Sequence, residues 1–259
     1  MPPQQLHLTI LTGASRGMGL AMALQLLSPQ RHLLCISRHI NSELADAAQK
    51  LDAPLTQWAQ DLADTVGAAD RLQSWLNDLK TSEHTSATLI NNAGVIPRIG
   101  PLDECPPDDL ANALRVGLEA PMQLTAAFLR ATSAWVNAGW RGPRKVLNIS
   151  SGLGRHAMAA QAPYCAAKAG MDHFTRCSAL DEAEREHGAR LVSLAPGVID
   201  TDMQQQLRAG DPAAFPDLER FMELKRQGQL TAPADAAARV LACLDRPDFG
   251  KNPVADVRD

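Results

Sequence analysis

LHLTILTGASRGMGLAMALQLL, residues 6–27, reads as three pieces in a row. Leu6 to Leu11 is short, largely apolar and rich in β formers, the pattern of a buried strand. Thr12-Gly13-Ala14-Ser15-Arg16-Gly17-Met18-Gly19 follows at once, and LAMALQLL after it has the Leu/Ala/Met composition of a helix. Strand, glycine turn and helix in that order form a phosphate site. Glycines let the main chain approach a pyrophosphate, and the helix start offers free N–H groups with a favourable dipole. The spacing is G-x-x-x-G-x-G rather than G-x-G-x-x-G, so taken alone the stretch also admits a plain glycine turn.

Outward from it, strand-like and helix-like segments alternate. His32–Ser37, Leu55–Gln60, Thr88–Ile90, Lys145–Ile149, Arg190–Leu194 and Pro253–Val257 read as strands. Helical composition marks a start near Ser42 or Glu43, then Thr65–Leu79, Pro163–Glu186 and Pro233–Leu244, with Asp108–Leu114 and Met122–Val136 forming one broken helix or two. The alternation predicts an α/β fold with a doubly wound, parallel sheet and ligands at the carboxyl edge of its strands. The chain of 259 residues shows no linker and no internal repeat, so residues 1–259 are expected to form one domain. It is 45% apolar and 21% charged with a net charge of −4 and no basic run, which argues against nucleic acid or an anionic membrane as partner. MPPQQLHLTILTG lacks a basic segment followed by a long apolar one, and no apolar run reaches a membrane span, so a cytoplasmic protein is expected. Five scattered cysteines without metal-ligand spacing read as reduced thiols, and no metal site is expected.

The chemistry concentrates in SSGLGRHAMAAQAPYCAAK, residues 150–168, which holds the only tyrosine, Tyr164, with Lys168 four positions later. That spacing is one helical turn, so both side chains rise from one face. An ammonium close to a phenol favours the phenolate, which would let Tyr164 pass a proton near neutral pH. Ser151 stands where an apolar run ends, and its hydroxyl could hold a substrate oxygen against the phenol. Y-x-x-x-K by itself also occurs on many solvated helix faces. The second strand ends at Ser37-Arg38 with no acid to bind a ribose diol. Arg38 and Arg16 instead offer two guanidinium groups to a 2′-phosphate, unless Arg38 is a solvated residue opening the next helix. In NNAG, residues 91–94, Asn91 and Asn92 suit hydrogen bonds that pin the central sheet. An Asp at position 61 after a strand could equally be a helix cap.

TGASRGMG at 12–19, NNAG at 91–94, Ser151, Y-x-x-x-K at 164–168 and APGVIDTDM at 195–203 together resemble the short-chain dehydrogenase/reductases, in order and spacing over essentially the whole chain. The resemblance implies a Rossmann-type domain whose residues 6–150 mainly bind cofactor. Residues 151–259 would form the catalytic and substrate half, with 204–232 a flap over the substrate. It implies NADP(H) held by Gly13, Ser15, Arg16, Gly17, Met18, Gly19, Arg38, Asp61, Leu62, Asn92, Ala93, Gly94, Tyr164, Lys168, Pro196, Gly197, Ile199 and Thr201. Ser151, Tyr164 and Lys168 become the catalytic residues of a carbonyl reductase acting on a small molecule, in a homodimer or homotetramer. One departure stands out: the superfamily's proton-relay asparagine falls on Gly117, so Asn112, a water, or nothing takes its place. That glycine also motivates a second reading, a catalytically weak NADP(H)-binding regulator or scaffold. The C-terminal third, through ELKRQGQL and DRPDFGKNPVADVRD, is similar to the sepiapterin reductases. There Asp256 matches an acid that anchors the pterin, with Ser151, Tyr164 and Gly197 also facing substrate; the bland alternative is an exposed tail acid. Bacterial members of this type also resemble reductases of aromatic diketones such as benzil.

Overall fold

The computed structural model describes residues 5–259. Met1–Gln4, part of the stretch read for a targeting segment, lie outside the described residues. Seven strands, β1 (Leu6–Thr12), β2 (Arg31–Ser37), β3 (Leu55–Ala59), β4 (His84–Asn91), β5 (Arg144–Ile149), β6 (Arg190–Ala195) and β7 (Val254–Asp256), form one sheet in the order β3-β2-β1-β4-β5-β6-β7. Every pairing is parallel. The winding reverses between β1 and β4, which opens a crevice at the carboxyl ends of those two strands.

The alternation of side chains along each strand decides which layer it meets. Leu8, Ile10, Leu34, Ile36, Leu89 and Val146 face one way, into a core shared with α3 (Thr65–Asp78), α5 (Ala120–Asn137) and the edge of α6 (Ala162–Ala183). Leu11, Leu33, Cys35, Ile90, Leu147 and Val192 face the other, against α1 (Gly17–Leu26), α2 (Ser42–Lys50) and α9 (Pro233–Asp245). The chain is therefore a doubly wound α/β fold of Rossmann type. Asn41 caps α2 by accepting from Leu44 N at 2.8 Å, and Asp64 caps α3 by accepting from Gly67 N at 3.1 Å.

Two stretches that the sequence leaves open take definite form. α4 (Pro107–Leu114) runs into α5 without a break through a π-helical turn over Arg115–Glu119, so the two helical segments are one rod with a wide turn inside it. Residues 204–232 hold the helices α7 (Asp202–Arg208) and α8 (Leu218–Arg226), packed around Leu207, Phe215 and Phe221 as a small core of their own. No helix among the described residues is long and apolar enough to cross a membrane.

Candidate active site

A cleft of about 700 Å³ follows the carboxyl edge of the sheet. Its floor is built by polar groups that the strands deliver to one place. Thr12 Oγ1 accepts from the backbone N–H groups of Asn92 at 2.9 Å and Ala93 at 3.0 Å, and Asn92 Nδ2 donates to Thr12 O at 3.0 Å. The end of β4 is thereby sewn to the glycine turn after β1. Gly13 has φ +70°, and a Cβ there would lie 2.9 Å from Ala93 Cα. A Cβ on Gly19 would lie 2.0 Å from Gly13 O, so the turn closes only with a bare α-carbon at that point. One layer deeper, Asn91 Nδ2 donates to Asn148 Oδ1 at 2.8 Å, and Asn148 Nδ2 to Thr175 Oγ1 at 2.9 Å, locking β4, β5 and α6 together.

All the residues expected at a dinucleotide line this one cleft. Gly13, Ser15, Arg16, Gly17, Met18 and Gly19 sit at the start of α1, and Arg38, Asp61 and Leu62 at the end beside β2 and β3. Asn92, Ala93 and Gly94 form the floor, with Pro196, Gly197, Ile199 and Thr201 on the wall after β6. The chemistry fits a nicotinamide dinucleotide: bare glycines at a helix start stand where a pyrophosphate would lie, with Arg16 in the same turn and Arg38 at the end beside β2. Asp61 is not the helix cap, a role Asp64 fills; its Oδ1 accepts from Ala63 N at 2.9 Å. Arg16 Nη1 meets Asp202 Oδ2 at 2.8 Å, both side chains more than half exposed, and such a pair contributes about 0–1 kcal/mol and yields easily to a stronger anion.

Ser151, Tyr164 and Lys168 reach the same cleft. Ser151 follows β5 in an extended conformation and its Oγ accepts from Leu153 N at 3.1 Å, capping a short 3-10 turn. Pro163 in the first turn of α6 starts the helix that carries Tyr164 and Lys168. Lys168 is buried and its Nζ donates to Ile149 O at 2.7 Å, 5.7 Å from the centre of the Tyr164 ring. The expectation that the ammonium makes the phenol acidic is corrected here. Burial pushes the Tyr164 phenol up to about 12, with a hydrogen bond to Ser151 pulling the other way, while burial draws the Lys168 ammonium down to about 8 against the charge of Asp172. The ammonium gives its hydrogen bond to the Ile149 carbonyl and not to the phenol, and burial is the larger influence on Tyr164.

Gly117 lies in the π-helical turn, buried, where a Cβ would sit 3.1 Å from Ala167 Cβ. The residue fits α6 closely and offers no side chain to the cleft, whereas Asn112 does line it. Asp256 lines the cleft too, but both its oxygens are held by the guanidinium of Arg258, Nε and Nη2 each at 2.6 Å. The pairing keeps the Asp256 carboxyl below its ordinary range. Sequence reading passed over His156, Met158 and Gln161, whose spacing carries no motif; Arg220, Phe221 and Leu224, inside the stretch 204–232, line the same wall. It also passed over Asp172, although an acid two helical turns beyond Tyr164 was a legible signal.

Comparison with known proteins agrees with this geometry. Benzil reductase ((S)-benzoin forming) from Bacillus cereus is 34% identical over 245 residues, covering 95% of this chain and 96% of that protein. Sepiapterin reductase from Xenopus tropicalis is 30% identical over 251 residues, covering 92% and 91%. The crystal structure of a putative 2-deoxy-D-gluconate 3-dehydrogenase from Agrobacterium tumefaciens with bound NADP superimposes with a TM-score of 0.75 at 25% identity, over 99% of this chain and 97% of that one. With residues 7–212 matching the family described as short chain dehydrogenase, this chain belongs to that family of NAD(P)-binding oxidoreductases.

Proposed function

We propose that the protein is an NADPH-dependent carbonyl reductase acting on aromatic ketones or diketones such as benzil, with Tyr164 as general acid. The observation that carries this is the meeting of Ser151, Tyr164 and Lys168 in the cleft that also holds the glycine turn and both arginines. The cofactor, when bound, supplies a hydride to the carbonyl carbon. Ser151 holds the carbonyl oxygen, and the phenol of Tyr164 gives that oxygen its proton as negative charge develops there. Burial keeps the phenol in its protonated form at neutral pH, the form from which a proton is given. Lys168 returns a proton to Tyr164, and at about 8 its ammonium is both abundant and ready to release one near neutrality.

Two features favour an aromatic diketone over a pterin. Met158, Phe221 and Leu224 give the substrate end an apolar wall. The carboxylate of Asp256, which a pterin would need, is engaged by the fork of Arg258, which a pterin would first have to displace. On this reading α7 and α8 serve as a cover for the substrate, residues 1–259 act as one domain, and the enzyme works in the cytoplasm as a homodimer or homotetramer.

Oxidation of NADPH with benzil and with sepiapterin, by the parent protein and Tyr164→Phe, tests the mechanism. A loss of about 10²–10⁴-fold in kcat with benzil, and unchanged NADPH binding, is expected from removing the acid. Equal turnover by the two proteins rules the mechanism out, and NADPH binding without turnover on a broad carbonyl panel points to a regulator or scaffold. The cofactor choice has its own test. Arg38→Ala removes one charged contact to a 2′-phosphate, worth about 1.5–3 kcal/mol, so the Kd for NADPH rises by about 10–150-fold while that for NADH stays level.

A further inference from the structure

Asp172 lies on α6 at the same helical spacing beyond Lys168 as Lys168 lies beyond Tyr164, and it is 1% exposed. A buried carboxylate in this place has to be compensated, and its partners all belong to the scaffold of the site. Its Oδ1 accepts from Ser150 Oγ and from Ser193 Oγ, each at 2.6 Å. Those lengths fall in the range of hydroxyls donating to an ionised oxygen. Ser150 precedes Ser151 at the end of β5, and Ser193 lies on β6, just before the Pro196-Gly197 wall. Oδ2 faces Arg155 Nε at 3.4 Å and accepts no hydrogen bond among the described residues. The turn after Ser151 covers it so closely that a Cβ on Gly154 would lie 2.9 Å from Oδ2. The charged neighbours of this carboxylate are therefore Lys168 on its own helix and Arg155 from the covering turn.

We propose that Asp172 is a positioning residue: a buried anion that serves as counter-charge to Lys168 and clamps the ends of β5 and β6 to the catalytic helix. Among the described residues, Asp172 is the one charged group that acts on Lys168. The Ile149 carbonyl orients the ammonium as a dipole only, and Tyr164 is neutral. With Oδ1 shared by two hydroxyls and Oδ2 left without a hydrogen bond, the carboxylate keeps a field directed at its cationic neighbours. Lys168 retains its proton at neutral pH because Asp172 raises its affinity for it, against the larger effect of burial. The consequence for turnover rests on the roles given above to Tyr164 and Lys168; the ionisation of Lys168 does not depend on them.

The test reads that ionisation directly. In the full-length protein, lysine labelled with ¹³C at the ε-carbon is titrated by NMR, with Lys168→Met identifying the signal. In the parent the midpoint is expected at about 8. In Asp172→Asn, which preserves shape and removes charge, it falls by about one pH unit or more, a tenfold or larger loss of proton affinity. With benzil and NADPH the alkaline limb of kcat/KM moves down by the same amount, whereas Ser193→Ala, which loosens the clamp and leaves the charge, lowers kcat without moving the limb. Arg155→Gln frees the carboxylate from its competing cation and shifts the midpoint upward. A midpoint unmoved in Asp172→Asn overturns the proposal; should that variant fail to fold, a midpoint unmoved in Arg155→Gln does so. Absence of turnover by the parent alongside a shifted midpoint would refute the carbonyl reductase reading and leave the role of Asp172 standing.

Discussion

Gly117 meets Ala167 at the point where the wide turn after α4 lies on α6, and one methyl group there has 3.1 Å to its neighbour, tighter than ordinary contact. Gly117→Ala gains up to about 1 kcal/mol in helix propensity and loses about 1–3 kcal/mol to overpacking, so the net expectation is a loss of about 1 kcal/mol in urea unfolding. Ala167→Gly in the same protein opens the space again. A double-mutant cycle is therefore expected to show a coupling of at least about 0.5 kcal/mol, and additive effects would show that this contact does not matter. By the same contact, an asparagine at 117 would press its Cβ on Ala167 of α6, the helix that bears Tyr164 and Lys168. The departure itself was readable in Arg115-Val116-Gly117-Leu118, but its cause was not, because Ala167 lies fifty residues further along the chain. Tyr164 and Lys168 show the same limit. Their shared face follows from their spacing, yet the direction of each proton affinity depends on the burial and the Ile149 carbonyl that the tertiary structure adds.

The elements that hold the site are anchored at the end remote from it. Arg144, at the start of β5, donates to Glu182 Oε2 at 3.1 Å and to His187 O at 2.9 Å, and Glu182 also accepts from Ala189 N at 2.7 Å. Both side chains of this ion pair are almost fully buried, 2% and 1% exposed, and Glu182 also pairs through Oε1 with the more exposed Arg185 at 2.7 Å, so it is removal of Glu182 that leaves an uncompensated charge, that of Arg144, inside. Glu182→Ala is expected to cost about 3–5 kcal/mol by chemical denaturation, and Arg144→Met/Glu182→Leu to recover most of it. A loss below about 1 kcal/mol in the single variant would mean that water reaches the pair. In the sequence this anchor was invisible, since a lone arginine and glutamate 38 positions apart carry no pattern. Strands and helices with strong apolar patterning were legible to within a few residues. β4 begins earlier than its apolar run, at His84, because the polar residues there find partners across the sheet: Thr85 Oγ1 donates to Leu6 O at 3.2 Å, and Ser86 Oγ pairs with His7 Nδ1 at 2.8 Å. The π-helical turn has no compositional mark at all, because it adds one residue to a helix without changing which residue types fit.

At the scale of the whole molecule the two ends of the sheet do different things. The carboxyl edge is polar and open, while from the amino ends of β2 and β4 a chain of ring contacts links two histidines with all four tryptophans, reaching as far as Trp58 opposite Ile36. His32 stacks on His84 with centroids 5.8 Å apart, His84 on Trp135 at 6.5 Å, and Trp75 meets His32 at 5.4 Å and Trp58 at 5.6 Å; Trp140 meets Trp135 at 5.6 Å. His84 is 5% exposed and its Nε2 has no hydrogen-bond partner among the described residues. Burial holds the affinity of both rings for a proton below the ordinary value of 6.5, and for His32 the neighbouring His84 adds to this, with Glu83 opposing it in each case. The unfolded chain therefore binds more protons than the folded one below about pH 6.5, so stability is complete above that pH and falls as the pH drops towards the folded values. Each proton taken up on unfolding steepens the fall by about 1.4 kcal/mol per pH unit. Thermal unfolding followed by tryptophan fluorescence between pH 7.5 and 5 is expected to show Tm declining, and His84→Gln to flatten that decline because one of the two interacting rings no longer titrates. A parent and variant with parallel profiles would show that these histidines take up their protons without disturbing the folded state. A carbonyl reductase losing activity in the same range would then be losing it at the cleft, on the far side of the sheet, and not through the ring cluster.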